Sequence, residues 1–386
     1  MAPEPQVAFD ASFKYVTGLV RSRREPQNYS WLIDRGGHQF YPDYFLIHTM
    51  GRSVFERFFN QWLGIRWGRF GLSYHVMIRC VDLFYGLPVF AAAPYRDWLY
   101  AYLKCAPTGM IQWTLVEFFL FMEYWMRQVL SVEFMTFTPI KNDLNERAIH
   151  GLRGLDFDIN DVGESSLSAS IVAACHANWL DIIVPQFASN ISDVISKACS
   201  TLISNACDGV SDDILDLMLN DPKQIMYECD NAGEIVFDLV VVSKLLSLGH
   251  RVVLVAKYGP ILNDVTVEEV THLIETTPMF DRLKSAIDQG QLQIVFANAF
   301  AVPGKYLPLV TETYRHCCNT CDIFWLKGQA NFQTMPVVNH GMFKRSIKYK
   351  KPIVFNFIVK SPMVGYCLDN TQMGQLSLGD PLICLV

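Results

Sequence analysis

The stretch MYECDNAGEIVFD, residues 226–238, sets two hard oxygen donors, Asp230 and Asn231, and a glycine, Gly233, between one apolar run and Glu234, which opens another. KYGPILNDVT carries Lys257, Asn263 and Asp264, and LKGQAN carries Lys327 and Asn331. Carboxylate and carboxamide oxygens suit Mg²⁺ or Mn²⁺, with water completing the shell. Lysines beside them neutralise phosphate oxygens as point charges. Gly233 would let backbone come close, and a helix opening at Glu234 would offer free N–H groups to an anion. The chemistry this set suits is metal-assisted handling of phosphate, in which a cation polarises a phosphoryl group and lowers the pKa of a water.

These residues need elements that bring them together. From residue 223 onward the apolar pattern alternates between strand and helix. KQIMYEC, RVVLVAK, QLQIVFANA, DIFWLKG and KPIVFNFIVK read as strands. Between the first two, EIVFDLVVVSKLLSLG reads as a helix with Ile235, Leu239, Val242 and Leu246 on one face and Gly249 as its stop. Thr266-Val-Glu-Glu269 has capping-box spacing. A further helix is expected over roughly Tyr306 to Cys318. Continuous apolar strands alternating with helices predict an α/β fold, a mainly parallel sheet sandwiched by helices. The strand ends fall at Asp230-Asn231, Lys257, near Asn298, Lys327 and Lys360. In a parallel sheet all of these share one edge, where open α/β proteins bind ligands.

Residues 1–150 are expected to form an all-helical N-terminal region and residues 151–386 the α/β domain. Six of the eight tryptophans precede residue 131, and the aromatic spacing there (Phe55, Phe58, Phe59, Trp62) is helical. The bland reading of that belt is core packing. The apolar segments 73–95 and 107–133 are broken by Arg79 and Asp82 and by Glu117, Glu123 and Arg127. Neither offers the ~18 clean apolar residues of a membrane span. The N-terminus lacks the pattern of a signal peptide. The expected location is cytoplasmic.

The chain has 386 residues, 51% of them hydrophobic and 18% charged, enough for a large core. A net charge of −6 argues against a general nucleic-acid binder, so an anionic substrate would be held by a few local cations. The eleven cysteines lie mostly in apolar runs, as small buried hydrophobes do in a reducing compartment. Cys318 and Cys321 form a CxxC with no facing second pair. No GxSxG elbow, GxxxxGK[ST] loop or HExxH helix is present, and the histidines lack metal spacing.

YECDNAGEIVFD, VAKYGPILNDVTVEE and DIFWLKGQANFQTM, in that order, resemble the metal-dependent damage-control phosphatase family. That family includes proteins described as acidic-residue methyltransferase-like and a domain fused to pantothenate kinase-like proteins. TPIKNDLNERAI, HANWLDI and IVKSP are weaker echoes. The resemblance implies a divalent cation held by Asp230, Asn231 and Asp264, with Mn²⁺, Mg²⁺, Co²⁺ or Ni²⁺ as the metals expected. It implies hydrolysis of small phosphorylated metabolites, such as sugar phosphates or damaged cofactor intermediates. Lys327 and Lys360 match phosphate-side lysines, and Asn178 and Asp181 match an Asn-x-x-Asp pattern near the site. Asp181 is a candidate to orient the attacking water. Glu234, Lys257 and Asn331 are further candidates for substrate contact. Ala330 stands where the family usually has glycine, and Asn298 lies where a Ser-Gly-like pair is common, so substrate choice is what these departures touch. Two other functions stay open at this point: a carboxyl methyltransferase using S-adenosylmethionine, and a non-catalytic metal-binding interaction module.

Overall fold

A computed structural model describes residues 137–181, 190–204, 209–335, 349–360, 377 and 379–386, all within the compact unit that includes Phe137–Val386. The expected helical N-terminal region, its aromatic belt and the two long apolar segments lie outside the described residues, apart from the start of the first helix below.

Four helices come first: α1 (Thr138–Arg153), α2 (Glu164–Ala177), α3 (Ile191–Leu202) and α4 (Asp212–Leu219), with a 3-10 turn, Asn178–Leu180, directly after α2. Pro139 sits in the first turn of α1, where a missing N–H costs nothing. The alternation then begins with β1 (Gln224–Glu228), α5 (Glu234–Ser247), β2 (Arg251–Ala256), α6 (Val267–Thr276), α7 (Asp281–Asp288) and β3 (Leu292–Phe296). It continues with α8 (Glu312–Thr320), β4 (Ile323–Lys327), the short α9 (Gln329–Gln333), β5 (Ile353–Ile358) and β6 (Pro381–Leu385).

The strands form one six-stranded sheet in the order β3-β2-β1-β4-β5-β6. The first five are parallel, and β6 closes the edge antiparallel to β5. β4 and β5 are buried along their whole length, as strands covered on both faces must be, whereas the edge strand β3 has exposed and half-buried positions. The expected mainly parallel α/β sheet is therefore the fold observed.

The local signals explain the boundaries. Thr266 and Glu269 close a reciprocal capping box at the start of α6. Gly249, with φ +88°, follows the last turn of α5. The helix expected from Tyr306 starts later, at Glu312. Pro308 lies in a separate 3-10 turn, Leu307–Leu309, and Thr311 then caps α8 by accepting from the Tyr314 N–H. β6 was not anticipated. It begins with a proline and is short, and only its pairing with β5 makes it a strand.

The core lies between the sheet and the helices, and α5 is its centre. Every residue of α5 from Glu234 to Leu246 is buried, not only the expected apolar face. A helix buried all round must find partners for its charged side chains. Lys244 donates to the Asp158 and Asp161 carbonyls and to the Ser166 hydroxyl. Asp238 accepts from the Tyr227 hydroxyl at 2.7 Å and faces Lys327. Among the described residues no helix is long and apolar enough to cross a membrane. The seven described cysteines are free thiols. Burial pushes the Cys318 thiol well up and Cys321 to about 12, the opposite of a thiolate poised for metal or redox work.

Candidate active site

In a sheet of this order the chain reverses direction between β1 and β4, and ligands bind outside the carboxyl ends of the strands at that crevice. The turn leaving β1 carries Cys229 to Gly233, all buried. It is stitched to the loop after β2: Val265 donates its N–H to the Asp230 carbonyl and Ala232 to the Asn263 carbonyl, each at 2.8 Å. These bonds make Asn231 and Asp264 antiparallel bridge partners. Two stretches 33 positions apart, by subtraction of those two residue numbers, are thus joined at the residues expected to share an ion.

Two glycines bring backbone close. Gly328, at the turn leaving β4, has φ +77°, and a Cβ there would lie 2.0 Å from the Asp230 carboxyl carbon. Gly233 has φ +78°. A Cβ on Gly233 would meet Leu144 and Leu180 at 3.1 Å, so this glycine admits α1 and the 3-10 turn rather than a substrate.

The carboxamides organise the acids. Asn178 donates to Asp230 at 3.0 Å and to Glu234 at 2.7 Å, and its carbonyl accepts from the Ile358 N–H. Asn231 donates to Asp230 at 2.7 Å and to Glu234 at 3.2 Å. Asn331 ties the ends of β1 and β4 together by donating to the Cys229 and Lys327 carbonyls.

The three strand-end lysines do different things. Lys360 pairs with Asp181 at 2.8 Å and stands 4.0 Å from Asp230. Lys257 donates to the Gly304 carbonyl at 2.7 Å and faces Asp264 at 3.5 Å. Lys327, expected on the phosphate side, is fully buried beneath the others. Its ammonium meets Glu234 at 3.1 Å, Asp238 at 3.4 Å and the Ala174 carbonyl at 2.7 Å. Burial pushes its pKa down, but Asp238 and Glu234 outweigh this and hold it above the ordinary lysine value. Lys327→Met should therefore act first on stability, by about 3–5 kcal/mol, because it strands two buried carboxylates. Thermal unfolding of the variant without added metal checks this.

Charge does not balance here. Asp181, Asp230, Glu234, Asp238 and Asp264 supply five carboxylates, and Lys257, Lys327 and Lys360 supply three ammonium groups. With every group ionised, two negative charges remain. The Oδ1 of Asn263 is buried with no hydrogen-bond donor, and the buried Oδ2 of Asp264 has the Lys257 ammonium only at 3.5 Å. Burial raises Asp230 well above the usual carboxylate range, against the pull of Lys360. Burial likewise pushes Asp264 to about 6, against Lys257, and Asp238 to about 7, against Lys327. This excess of acid over lysine, buried except at Asp181, fits a divalent cation, which would be held by Asp230, Asp264 and the Asn231 carboxamide oxygen. Among the described residues no three His, Cys, Asp or Glu side chains form a metal cluster, so the set is two carboxylates and an amide.

A narrow cleft adjoins this group, its enclosed space about 10 Å³, room for roughly one water molecule. Cys229, Lys257, Tyr258, Phe300 and Asn331 are among the residues that line it. Its other polar residues are committed elsewhere. Asn298 holds the Tyr306–Leu309 turn through three hydrogen bonds, and Glu228 pairs with Lys305 at 2.6 Å and accepts from Tyr314 at 2.5 Å. Lys305 lies outside the recognised motifs, and Glu228, although inside YECDNAGEIVFD, sits at the end of the apolar strand β1, so neither was read as a site residue. Asn145 and Lys141, inside the TPIKNDLNERAI echo, carried a signal that only three-dimensional contacts could interpret.

Fold and edge define the class: an open, doubly wound α/β protein with an acid- and lysine-lined group at its switch point. Residues 86–372 match the damage-control phosphatase ARMT1-like domain, and the chain belongs to that family. The match begins well before the motif-bearing part, within the region expected to be helical. The chain is 32% identical over 133 residues to damage-control phosphatase PH1575 of Pyrococcus horikoshii, which is 34% of this chain and 42% of that protein. It is 29% identical over 120 residues to an uncharacterized protein, MJ0202, of Methanocaldococcus jannaschii, 31% of this chain and 35% of that protein. The aligned stretch is thus less than half the length of either relative. The crystal structure of PH1575, described as a DUF89 family protein, covers 80% of this chain and 94% of its own with a TM-score of 0.53. At 19% identity that likeness is one of fold.

Proposed function

We propose that the chain is a divalent-metal-dependent phosphatase of small phosphorylated metabolites, working in metabolite repair. The observation that carries this reading is the excess of carboxylates over lysines gathered at the switch point, with Asp230 and Asp264 on loops bridged to each other. Family membership adds phosphate as the chemistry. Mn²⁺ is the first choice of metal, with Mg²⁺, Co²⁺ and Ni²⁺ as alternatives, and the cation would supply charge neutralisation and an activated water.

The chain's own groups do the rest. Asp230, Asn231 and Asp264 hold the cation, and Asn178 and Glu234 keep Asp230 and Asn231 in place through hydrogen bonds. Lys360 and Lys257 neutralise oxygens of the phosphate. Asp181 has more solvent access than Asp230 or Asp264, and Lys360 holds it ready to orient the attacking water. Attack of water on phosphorus breaks the bond to the alcohol oxygen; the water's proton passes to Asp181, which returns it to the departing alkoxide so that the alcohol leaves neutral. The alcohol part would lie outside the narrow cleft, against Tyr258, half exposed and next to Lys257 on its lining. Free buried thiols fit a reducing, cytoplasmic setting.

The first βα turn, where this strand order places nucleotide-type cofactors on a glycine-rich loop, here carries Asp230 and Asn231, with Gly233 covered by Leu144. That favours the phosphatase over the methyltransferase. Phosphate release from sugar phosphates, nucleotides and pantetheine phosphates with each of the four metals tests the proposal. Release with at least one metal is expected; silence across the panel would leave the non-catalytic module. Tyr258→Ala should raise KM several-fold with little change in kcat, since the ring contacts only the alcohol part.

A further inference from the structure

We infer that one face of α1 is a clamp that sets the two cation-carrying loops against each other, with Asn145 and Lys141 as positioning residues; this rests on Asp230, Asn231 and Asp264 being the cation's ligands. The two residues are four apart on a helix and so share a face. Both are buried, Asn145 to 5% and Lys141 to 1% exposure. The carboxamide oxygen of Asn145 accepts from the Gly233 N–H at 2.6 Å. No side chain of the turn itself caps α5, so without Asn145 this amide, two residues after Asn231, would be buried and unpaired. The ammonium of Lys141 lies 2.6 Å from Glu269 Oε2. That same oxygen accepts from the Thr266 N–H at 2.8 Å, two residues after Asp264. Asn145 thus fixes the loop carrying Asp230 and Asn231, while Lys141 fixes the one carrying Asp264.

Packing supports a clamp rather than two chance contacts. Leu144, between them, fills the space a Cβ on Gly233 would need, so α1 is seated directly on the first loop. The two loops already share backbone hydrogen bonds, and α1 spans them from one side. Partners that orient metal ligands from one step away typically change metal affinity about 10- to 100-fold when removed.

The test uses the full chain. Mn²⁺ affinity is measured by calorimetric titration for the unaltered protein, Asn145→Ala, Lys141→Met, Asn145→Asp and a core control, Leu283→Ala, whose side chain is fully buried in α7. Asn145→Ala should weaken Mn²⁺ about 10- to 100-fold and Lys141→Met about 10-fold. Asn145→Asp, which keeps the acceptor for Gly233, should stay within a few-fold of the unaltered protein. Leu283→Ala should lower Tm without moving Mn²⁺ affinity. Amide exchange should quicken over residues 230–236 in Asn145→Ala and over 262–267 in Lys141→Met. Should Asn145→Ala not fold, Asn145→Ser, which shortens the reach of the acceptor, reads the same loss. Unchanged Mn²⁺ affinity in both α1 variants, with Tm lowered as in the control, would overturn the clamp. No Mn²⁺ uptake by the unaltered protein would instead overturn the reading of the centre, and the clamp with it.

Discussion

Gly328→Ala should abolish cation uptake and phosphate release together while leaving the fold in place. The turn leaving β4 passes so close to Asp230 that a methyl group at 328 would lie 2.0 Å from its carboxyl carbon, inside any van der Waals contact. One of the two must move. Gly328 is held by the end of β4 and by φ +77°, a conformation that L side chains rarely adopt. Asp230 is the more mobile partner, so its carboxylate is expected to swing out of the group it shares with Asn178 and Asn231. A displacement of about 1 Å at a reacting centre costs on the order of 100-fold in rate, and this one is larger. Gly290→Ala is the control for backbone strain alone. That residue also has positive φ, +69°, but a Cβ there meets nothing within 4 Å. It should lose some stability and keep full turnover.

Asp264→Asn should remove cation uptake, by at least about 100-fold, yet leave the metal-free protein as stable as the parent or more so at neutral pH. Its carboxyl ordinarily titrates near 3.8, and burial pushes it to about 6 in the folded chain, with Lys257 opposing. The native state therefore binds this proton more tightly than the unfolded state does. The stability it contributes is fully present below about pH 4 and is lost as pH rises through about 6. An asparagine at 264 carries no such penalty, so the gap between variant and parent should open between pH 4 and pH 6 and stay open above. Thermal unfolding across that range without metal gives the curve. A cation bound by the ionised carboxylates would reverse the sign for the parent. Added Mn²⁺ should therefore raise the Tm of the parent and not that of Asp264→Asn.

What could be read from the sequence followed the range of each interaction. The central strands were legible because parallel segments covered on both faces, as β4 and β5 are, need continuous apolar runs. The capping box at Thr266 and the stop at Gly249 are local devices and fell where expected. Asp230, Asn231 and Asp264 were legible as a set through their motifs, and the loop bridge then joined them. Lys327 was legible as a strand-end cation but not as a buried one. Its depth depends on Asp238, a full turn beyond Glu234 on α5, and on the Ala174 carbonyl of α2. Gly233 looked like room for a ligand, whereas the neighbour it admits is Leu144, 89 positions earlier by subtraction of the two numbers. β6 depends on register with β5, which no short run of residues encodes.

The central claim is that one divalent cation sits between Asp230 and Asp264. The most direct test is a calorimetric titration of Mn²⁺ into the metal-free full chain at pH 6.5, repeated in two buffers of different ionisation enthalpy. The parent should take up one equivalent and release protons, since burial pushes the Asp264 carboxyl to about 6 and a bound cation would hold it ionised. Asp230→Asn and Asp264→Asn should each take up none in the same concentration range. Uptake of one equivalent by both variants at the parent's affinity would place the cation elsewhere and contradict the account.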